Sequence, residues 1–302
     1  MHSDPVSTFA ANSLESVSGS LPQVRLKSER SRLLLVLPEP DSGSGQESRP
    51  EGLTWEEVLQ QLEQRLKGGE RFWQPESLVY LRAGDRLLDL RQLQDVAAGL
   101  ECYRLRLRWV ETRRKSTALA AINAGYSVEQ LGPHDHLSGP KTEDSLAQAE
   151  PLYLQMTVRS GVEIRHPGTV VILGDVNPGG EVVADGDILV WGRLRGLAHA
   201  GAAGNFHSVI LALQMAPTLL RISDRLARVP EGASGEYQPE VAYIAGGPTG
   251  SIHIAHAADF VRQELPRLER ENPATRLSGP PTLAALWSAL DRMDTGRPGL
   301  TG

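Results

Sequence analysis

Arg104, Arg106 and Arg108 alternate with Tyr103, Leu105, Leu107 and Trp109 in "YRLRLRWV". On an extended strand this spacing sends the guanidiniums to one face and the apolar side chains to the other. Such a face is either a solvated strand surface or a docking surface for an acidic partner, and Arg113, Arg114 and Lys115 just beyond it support the second use. His134 and His136 stand close enough to share a metal, but no nearby cysteine or carboxylate completes a coordination set. His199 and His207 are candidate bases for acid–base chemistry, and neither has a carboxylate partner evident in the sequence. "GGPTGS", residues 246–251, lacks the lysine and spacing of a phosphate-binding loop and reads as a turn. Cys102 is the one cysteine, so a disulfide framework and a cysteine-built metal site are both excluded. No cofactor and no metal is expected.

The elements that position these residues fall into two units. The chain has 302 residues with 20 prolines and 30 glycines, which suggests two domains plus linkers. A net charge of -6 is too balanced for nonspecific nucleic-acid binding. No run approaches the roughly 20 apolar residues that span a bilayer, and the N-terminus lacks the pattern of a signal peptide, so a soluble, intracellular protein is expected. Residues 1–20 read as a disordered leader, 21–126 as an α/β domain, 127–152 as a linker, 153–257 as a β domain and 258–302 as a tail. In the first domain a strand ends in the apolar run Leu33 to Leu37, followed by a flexible loop. Thr54 and Glu57 then make a capping box for a helix with Trp55, Val58, Leu59, Leu62 and Leu66 on one face, stopped at Gly68-Gly69. Strands at "SLVYL", "RLLDL" and "YRLRLRWV" and a short helix near residues 91–98 complete the unit.

Gly168, Gly174, Gly180, Gly186 and Gly192 recur every six residues. Written in blocks of six, the third positions are Val170, Val176, Val182, Ile188, Leu194, Ala200 and Phe206, and none is polar. A helix does not hold such a glycine load, because each interior glycine costs about 1 kcal/mol relative to alanine. Short strands separated by glycine corners do, and three six-residue sides make one rung of a triangular coil. So short a stack leaves open ends that need a cap or a second copy, and part of the apolar run 208–222 is the expected interface.

The stretch "VRSGVEIRHPGTVVILGDVNPGGEVVADGDILVWGRLRGLAHAGAAGN" together with "PEVAYIAGGPTGSIHIA" resembles the C-terminal domain of the MinC family, bacterial septum-site-determining inhibitors of cell division. Residues 21–126 look like that family's N-terminal domain. The resemblance implies an α+β N-terminal domain that blocks FtsZ assembly and an all-β, right-handed, three-sided β-helix that dimerises and binds the ATPase MinD. It implies a cytoplasmic protein recruited through MinD to the inner face of the membrane. The family's MinD contact is an Arg-Ser-Gly-Gln motif: Arg159, Ser160 and Gly161 match, and Val162 replaces the glutamine. Asp185 of "ADG" matches another position used for MinD. Arg104, Arg106 and Arg108 are the candidate FtsZ contacts.

The rival reading is a left-handed β-helix acyltransferase with His199 or His207 as base. The residues preceding the first-column positions are Pro167, Leu173, Gly179, Asp185, Trp191, Leu197 and Ala203, of which two are large aliphatics where that fold places one at each step. A passive scaffold is a third class. In the tail, Leu283, Leu286, Trp287, Leu290 and Met293 align on one helical face, and Arg292 is alone among basic residues on the other, which disfavours membrane adsorption.

Overall fold

The computed structural model describes residues 23–29, 32–38, 53–69, 73–132, 149–228 and 238–263. The expected leader, His134, His136 and the tail helix lie outside these residues. The N-terminal part opens with β1 (Arg25–Glu29) and β2 (Arg32–Val36), paired antiparallel. A hairpin thus replaces the expected single strand, because charged residues alternating along "RLKSE" suit an edge.

Helix α1 (Trp55–Gly69) starts at the expected capping box: the Thr54 amide donates to Glu57 Oε2 at 2.7 Å and the Glu57 amide to Thr54 Oγ1 at 3.3 Å. It buries Val58, Leu62 and Leu66. After β3 (Leu78–Gly84), "RLLDL" is not a strand. Asp89 accepts the Gln92 amide at 2.7 Å while Gln92 accepts the Asp89 amide at 3.0 Å, a second capping box that begins α2 (Leu90–Glu101).

Strand β4 (Arg106–Thr112) departs from its apparent alternation. Leu107 faces Val79 and Trp109 faces the next residue, Tyr80, so Arg108 is the extra residue of a bulge. Beyond it Val110 points into the core. Trp109 goes to the opposite side of the sheet from the one expected and stacks on Tyr80 with centroids 5.9 Å apart. Helix α3 (Lys115–Asn123), absent from the sequence reading, follows and buries Ala118, Ala121 and Ile122.

Strand β5 (Ser127–Gln130) occupies the first residues of the expected linker and lies parallel to β4. Its other edge pairs with the C-terminal part, with Val128 facing Ile164. That part comprises β6 (Leu152–Leu154), β7 (Glu163–His166), β8 (Val170–Ile172), β9 (Glu181–Ala184), β10 (Ile188–Leu194) and β11 (Leu197–Ala200). It continues with β12 (Ile210–Met215), β13 (Leu219–Ile222), β14 (Arg225–Ala227), β15 (Glu240–Ala245), β16 (Ser251–His256) and α4 (Ala257–Gln263). One ten-stranded sheet runs β1-β2-β3-β4-β5-β7-β9-β11-β13-β14, across both parts of the chain; a six-stranded sheet runs β16-β15-β12-β10-β8-β6. A single apolar cluster extends from Val24 through Val128 to Ile244.

Three ladders repeat with an offset of 18 residues: Leu152, Val170 and Ile188; Val158, Val176 and Leu194; Ile164 and Val182. The six-residue columns are therefore real, and Val170, Val176, Val182, Ile188, Leu194 and Ala200 are all fully buried. They stop short of Phe206. A loop intervenes after β11, and Ile188 pairs with Ile210 across a longer interval. The corners need glycine because the backbones nearly touch: a Cβ on Gly192 would lie 2.3 Å from the Gly174 carbonyl oxygen.

The ends of the stack are partly closed within the chain, which removes much of the expected need for a second copy there. Strand β5 extends the ladder of β7, and the antiparallel pairs β13–β14 and β15–β16 finish the other end. Most of the run 208–222 is likewise buried within the chain: Val209 and Leu211 pack with Val241, Tyr243, Ala257 and Phe260 under α4, and Ile210, Ala212, Met215, Leu220 and Ile222 lie in the common core.

His166 lies where the two parts meet, 4% exposed, with Nε2 donating to the Glu150 carbonyl at 3.0 Å and Nδ1 3.1 Å from the Gln130 carboxamide. Burial is the main cause that lowers its pKa from 6.5 to about 4. Above pH 6.5 the ring is neutral folded or unfolded; as pH falls from 6.5 towards 4 only the unfolded chain takes up the proton, and stability declines by up to about 3 kcal/mol. Melting curves between pH 7 and pH 4 should fall less steeply for His166→Gln than for wild type.

Candidate functional site

The Arg159–Ser160–Gly161 turn links Val158, in the second ladder, to β7. The Val162 amide donates to the Arg159 carbonyl at 3.1 Å and the Gly161 amide to the Gly179 carbonyl at 2.7 Å. Gly161 has φ +80°, in the left-handed region where glycine is unstrained. The turn one rung on, residues 177–180, packs close beneath: a Cβ on Gly179 would sit 2.6 Å from Ser160 Oγ. Closely stacked turns thus fix the backbone, while Arg159 and Ser160 are exposed. Among the described residues the Arg159 side chain makes no hydrogen bond or ion pair. A planar fork with five donors is therefore presented outward from a rigid corner.

The repeat brings further polar residues into line with the turn. Asn177 and Arg195 follow Arg159 at successive steps of 18 residues, and the Arg195 guanidinium donates to Asn177 Oδ1 at 2.6 Å. Beside them Asp175 accepts from the Arg193 amide at 2.8 Å and from its Nε at 3.1 Å. These residues were not singled out from the sequence, although the 18-residue spacing would have found them.

Val162, where the family resemblance places a glutamine, is 7% exposed and belongs to the common core. Asp185 follows β9, its amide bonded to the His166 carbonyl at 3.1 Å, and lies at the opposite end of that strand from Gly179. The turn and Asp185 are thus on different corners. The three N-terminal arginines do not share one face. Arg104 sits in a turn at φ +57°, Arg106 lies 3.7 Å from Glu76 at the exposed surface, and Arg108, displaced by the bulge, donates to the Gly161 carbonyl.

His199 is half-buried and donates from Nε2 to the Ser223 carbonyl at 3.0 Å; burial lowers its pKa. His207 packs against Phe206 with centroids 4.0 Å apart. Among the described residues no cluster of His, Cys, Asp or Glu is arranged to hold a metal ion, and no helix is long and apolar enough to cross a membrane.

Residues 152–257 match the family model described as "Septum formation inhibitor MinC, C-terminal domain". The chain is similar to a probable septum site-determining protein MinC from Nostoc sp., 51% identical over 248 residues, which cover 82% of this chain and 66% of that protein. A protein of the same description from Gloeobacter violaceus is 51% identical over 214 residues, 71% of this chain and 76% of the relative. Another from Synechocystis sp. is 53% identical over 210 residues, 68% and 83% of the two chains. Among solved structures, a chain of the MinC:MinD cell division protein complex of Aquifex aeolicus is 37% identical, covering 43% of this chain and 100% of that one, with a TM-score of 0.34. Identity above half, spread over most of the Gloeobacter and Synechocystis proteins, extends well beyond the repeat domain; the chain belongs to the MinC family of septum site-determining proteins.

Proposed function

We propose that this protein inhibits septum formation by blocking FtsZ assembly away from midcell, and that the ATPase MinD brings it to the inner face of the cell membrane. It is cytoplasmic and reaches the membrane only through that partner. The observation that carries this reading is Arg159, exposed and unpaired among the described residues on a Ser-Gly turn, in a chain of the MinC family. Arg159, Ser160 and Gly161 form the MinD contact, with Asp185 a separate, more distant contributor. Arg104, in the turn before β4, and Arg106, its first residue, are exposed and form the FtsZ contacts, whereas Arg108, the third candidate, is turned to the Gly161 carbonyl instead. Sedimentation of FtsZ polymers tests the inhibition: the purified chain should lower the pelleted fraction in proportion to its concentration, and an unchanged pellet would refute it.

The C-terminal part is a right-handed triangular β-helix. Three ladders advancing together by 18 residues support three six-residue sides per rung, and the handedness comes from the family resemblance. This part also forms a homodimer, through a face other than the run 208–222. Tyr153 in β6 is 49% exposed, Leu173 directly after β8 36% and Trp191 in β10 56%, and β6, β8 and β10 are neighbours in the six-stranded sheet. A flat group of large apolar side chains on adjacent strands fits a two-fold interface better than open solvent. Trp191→Asp should shift micromolar protein from dimer to monomer in equilibrium sedimentation, at a cost of about 2 kcal/mol or more. An unshifted dimer would place the interface elsewhere.

A further inference from the structure

We infer that Arg108, carried by the N-terminal sheet, belongs to the same docking site as Arg159, so that the MinD contact is assembled from both parts of the chain. This rests on the reading of the Arg159–Ser160–Gly161 turn given above. The bulge in β4 carries Arg108 out of the strand's alternation and sets its guanidinium over the turn. There it donates to the Gly161 carbonyl, and its Nη2 lies 3.3 Å from where a side chain on Gly161 would begin. The Gly161 bond is its one hydrogen bond among the described residues. A guanidinium has five N–H donors, and Arg108 is only half-buried. Donors not used on Gly161 are therefore left beside the turn that carries Arg159.

The residue that the family motif would use is missing from the surface. Val162 stands at the glutamine position with its side chain in the core. The local demand for a polar donor at this corner is met from the other part of the molecule instead. Docking of the two parts holds it there: Val128 faces Ile164, Glu129 faces Arg165, and Ser127 Oγ accepts the Glu163 amide at 3.0 Å. Two guanidiniums flanking one Ser-Gly turn suit a partner surface with a pair of carboxylates, or a carboxylate beside an exposed carbonyl.

The test uses the full chain and vesicles of phosphatidylglycerol and phosphatidylethanolamine coated with ATP-bound MinD. Affinity is read by co-sedimentation, with melting curves on the same samples. Arg108→Ala should bind about tenfold more weakly with little change in melting. Arg108→Lys should recover only part of the loss, because one ammonium can hold the Gly161 carbonyl but does not supply the remaining fork. Full recovery with lysine would reduce Arg108 to a support for the turn and overturn the proposal. Wild-type affinity in Arg108→Ala would overturn it too, provided that Arg159→Ala still weakens binding. If Arg159→Ala also binds normally, the reading of the turn itself has failed. Val162→Gln should melt earlier, since it buries a carboxamide, and should gain no affinity; a gain would return the site to the motif's glutamine and overturn the role of Arg108.

Discussion

A Gly192→Val variant is expected to lose the fold of the C-terminal part. The added Cβ would meet the Gly174 carbonyl oxygen at 2.3 Å and Asp175 Oδ1 at 2.7 Å. The first obstacle is backbone, one rung below, so no rotamer change relieves it. Relief requires β10 to move off β8, which breaks the ladder through Val170, Val171 and Ile172 and opens the core that Val190 fills. Overpacking typically costs about 1–3 kcal/mol and more where the backbone itself must shift, as here, a large part of the roughly 5–15 kcal/mol that holds a domain together. Gly68→Ala is the control of opposite sign: it lies in α1 with nothing within 4 Å of the new Cβ, and helix propensity favours alanine by up to about 1 kcal/mol. Urea or thermal unfolding of both variants would decide the matter. A Gly192→Val protein that unfolds with wild type would mean that the corners have room the structure denies them.

Arg159→Ala should leave melting unchanged and weaken binding to MinD by about tenfold to a hundredfold, the worth of a charge-assisted contact of about 1.5–3 kcal/mol. The first half follows from the absence of any partner for this side chain among the described residues; a role in tying rungs together would lower the melting temperature instead. Arg159→Lys keeps the charge and loses the planar fork, so it should fall between wild type and alanine. If lysine matches arginine, charge alone carries the contact.

The parts legible in the sequence are those where one side chain has one job. Val170 and Ile188 fill the same place in successive rungs, as do Val176 and Leu194, and the sides between them repeat the same inward position every six residues, while Thr54 with Glu57 announces a helix start by a local bond. The displacement of Arg108 was invisible because a bulge leaves no mark on an alternating string: "LRLRW" reads as five regular positions, and only the pairing of Val79 and Tyr80 with Leu107 and Trp109 shows the slip. Strand β5 hid in a polar, Gly- and Pro-containing stretch, since Ser127 and Val128 are its two buried residues and its stability comes from neighbours on both sides. Helix α3 lacks a capping side chain at Arg114 and is held by the burial of Ala118, Ala121 and Ile122. The second capping box, Asp89 with Gln92, carried a readable signal that "RLLDL" obscured by looking like a strand. Of the candidate site, the turn was legible through the family motif, whereas its neighbours Asn177 and Arg195 required the 18-residue register.

The most direct test of a division inhibitor delivered by MinD is FtsZ sedimentation in the presence of vesicles coated with MinD, comparing ATP with ADP. With ATP, the wild-type chain should pellet with the vesicles and lower the polymerised FtsZ at concentrations that have little effect with ADP, and Arg159→Ala should lose that nucleotide-dependent advantage while keeping its effect at high concentration. Equal inhibition with either nucleotide, or FtsZ polymer untouched by vesicle-bound protein, would contradict the account.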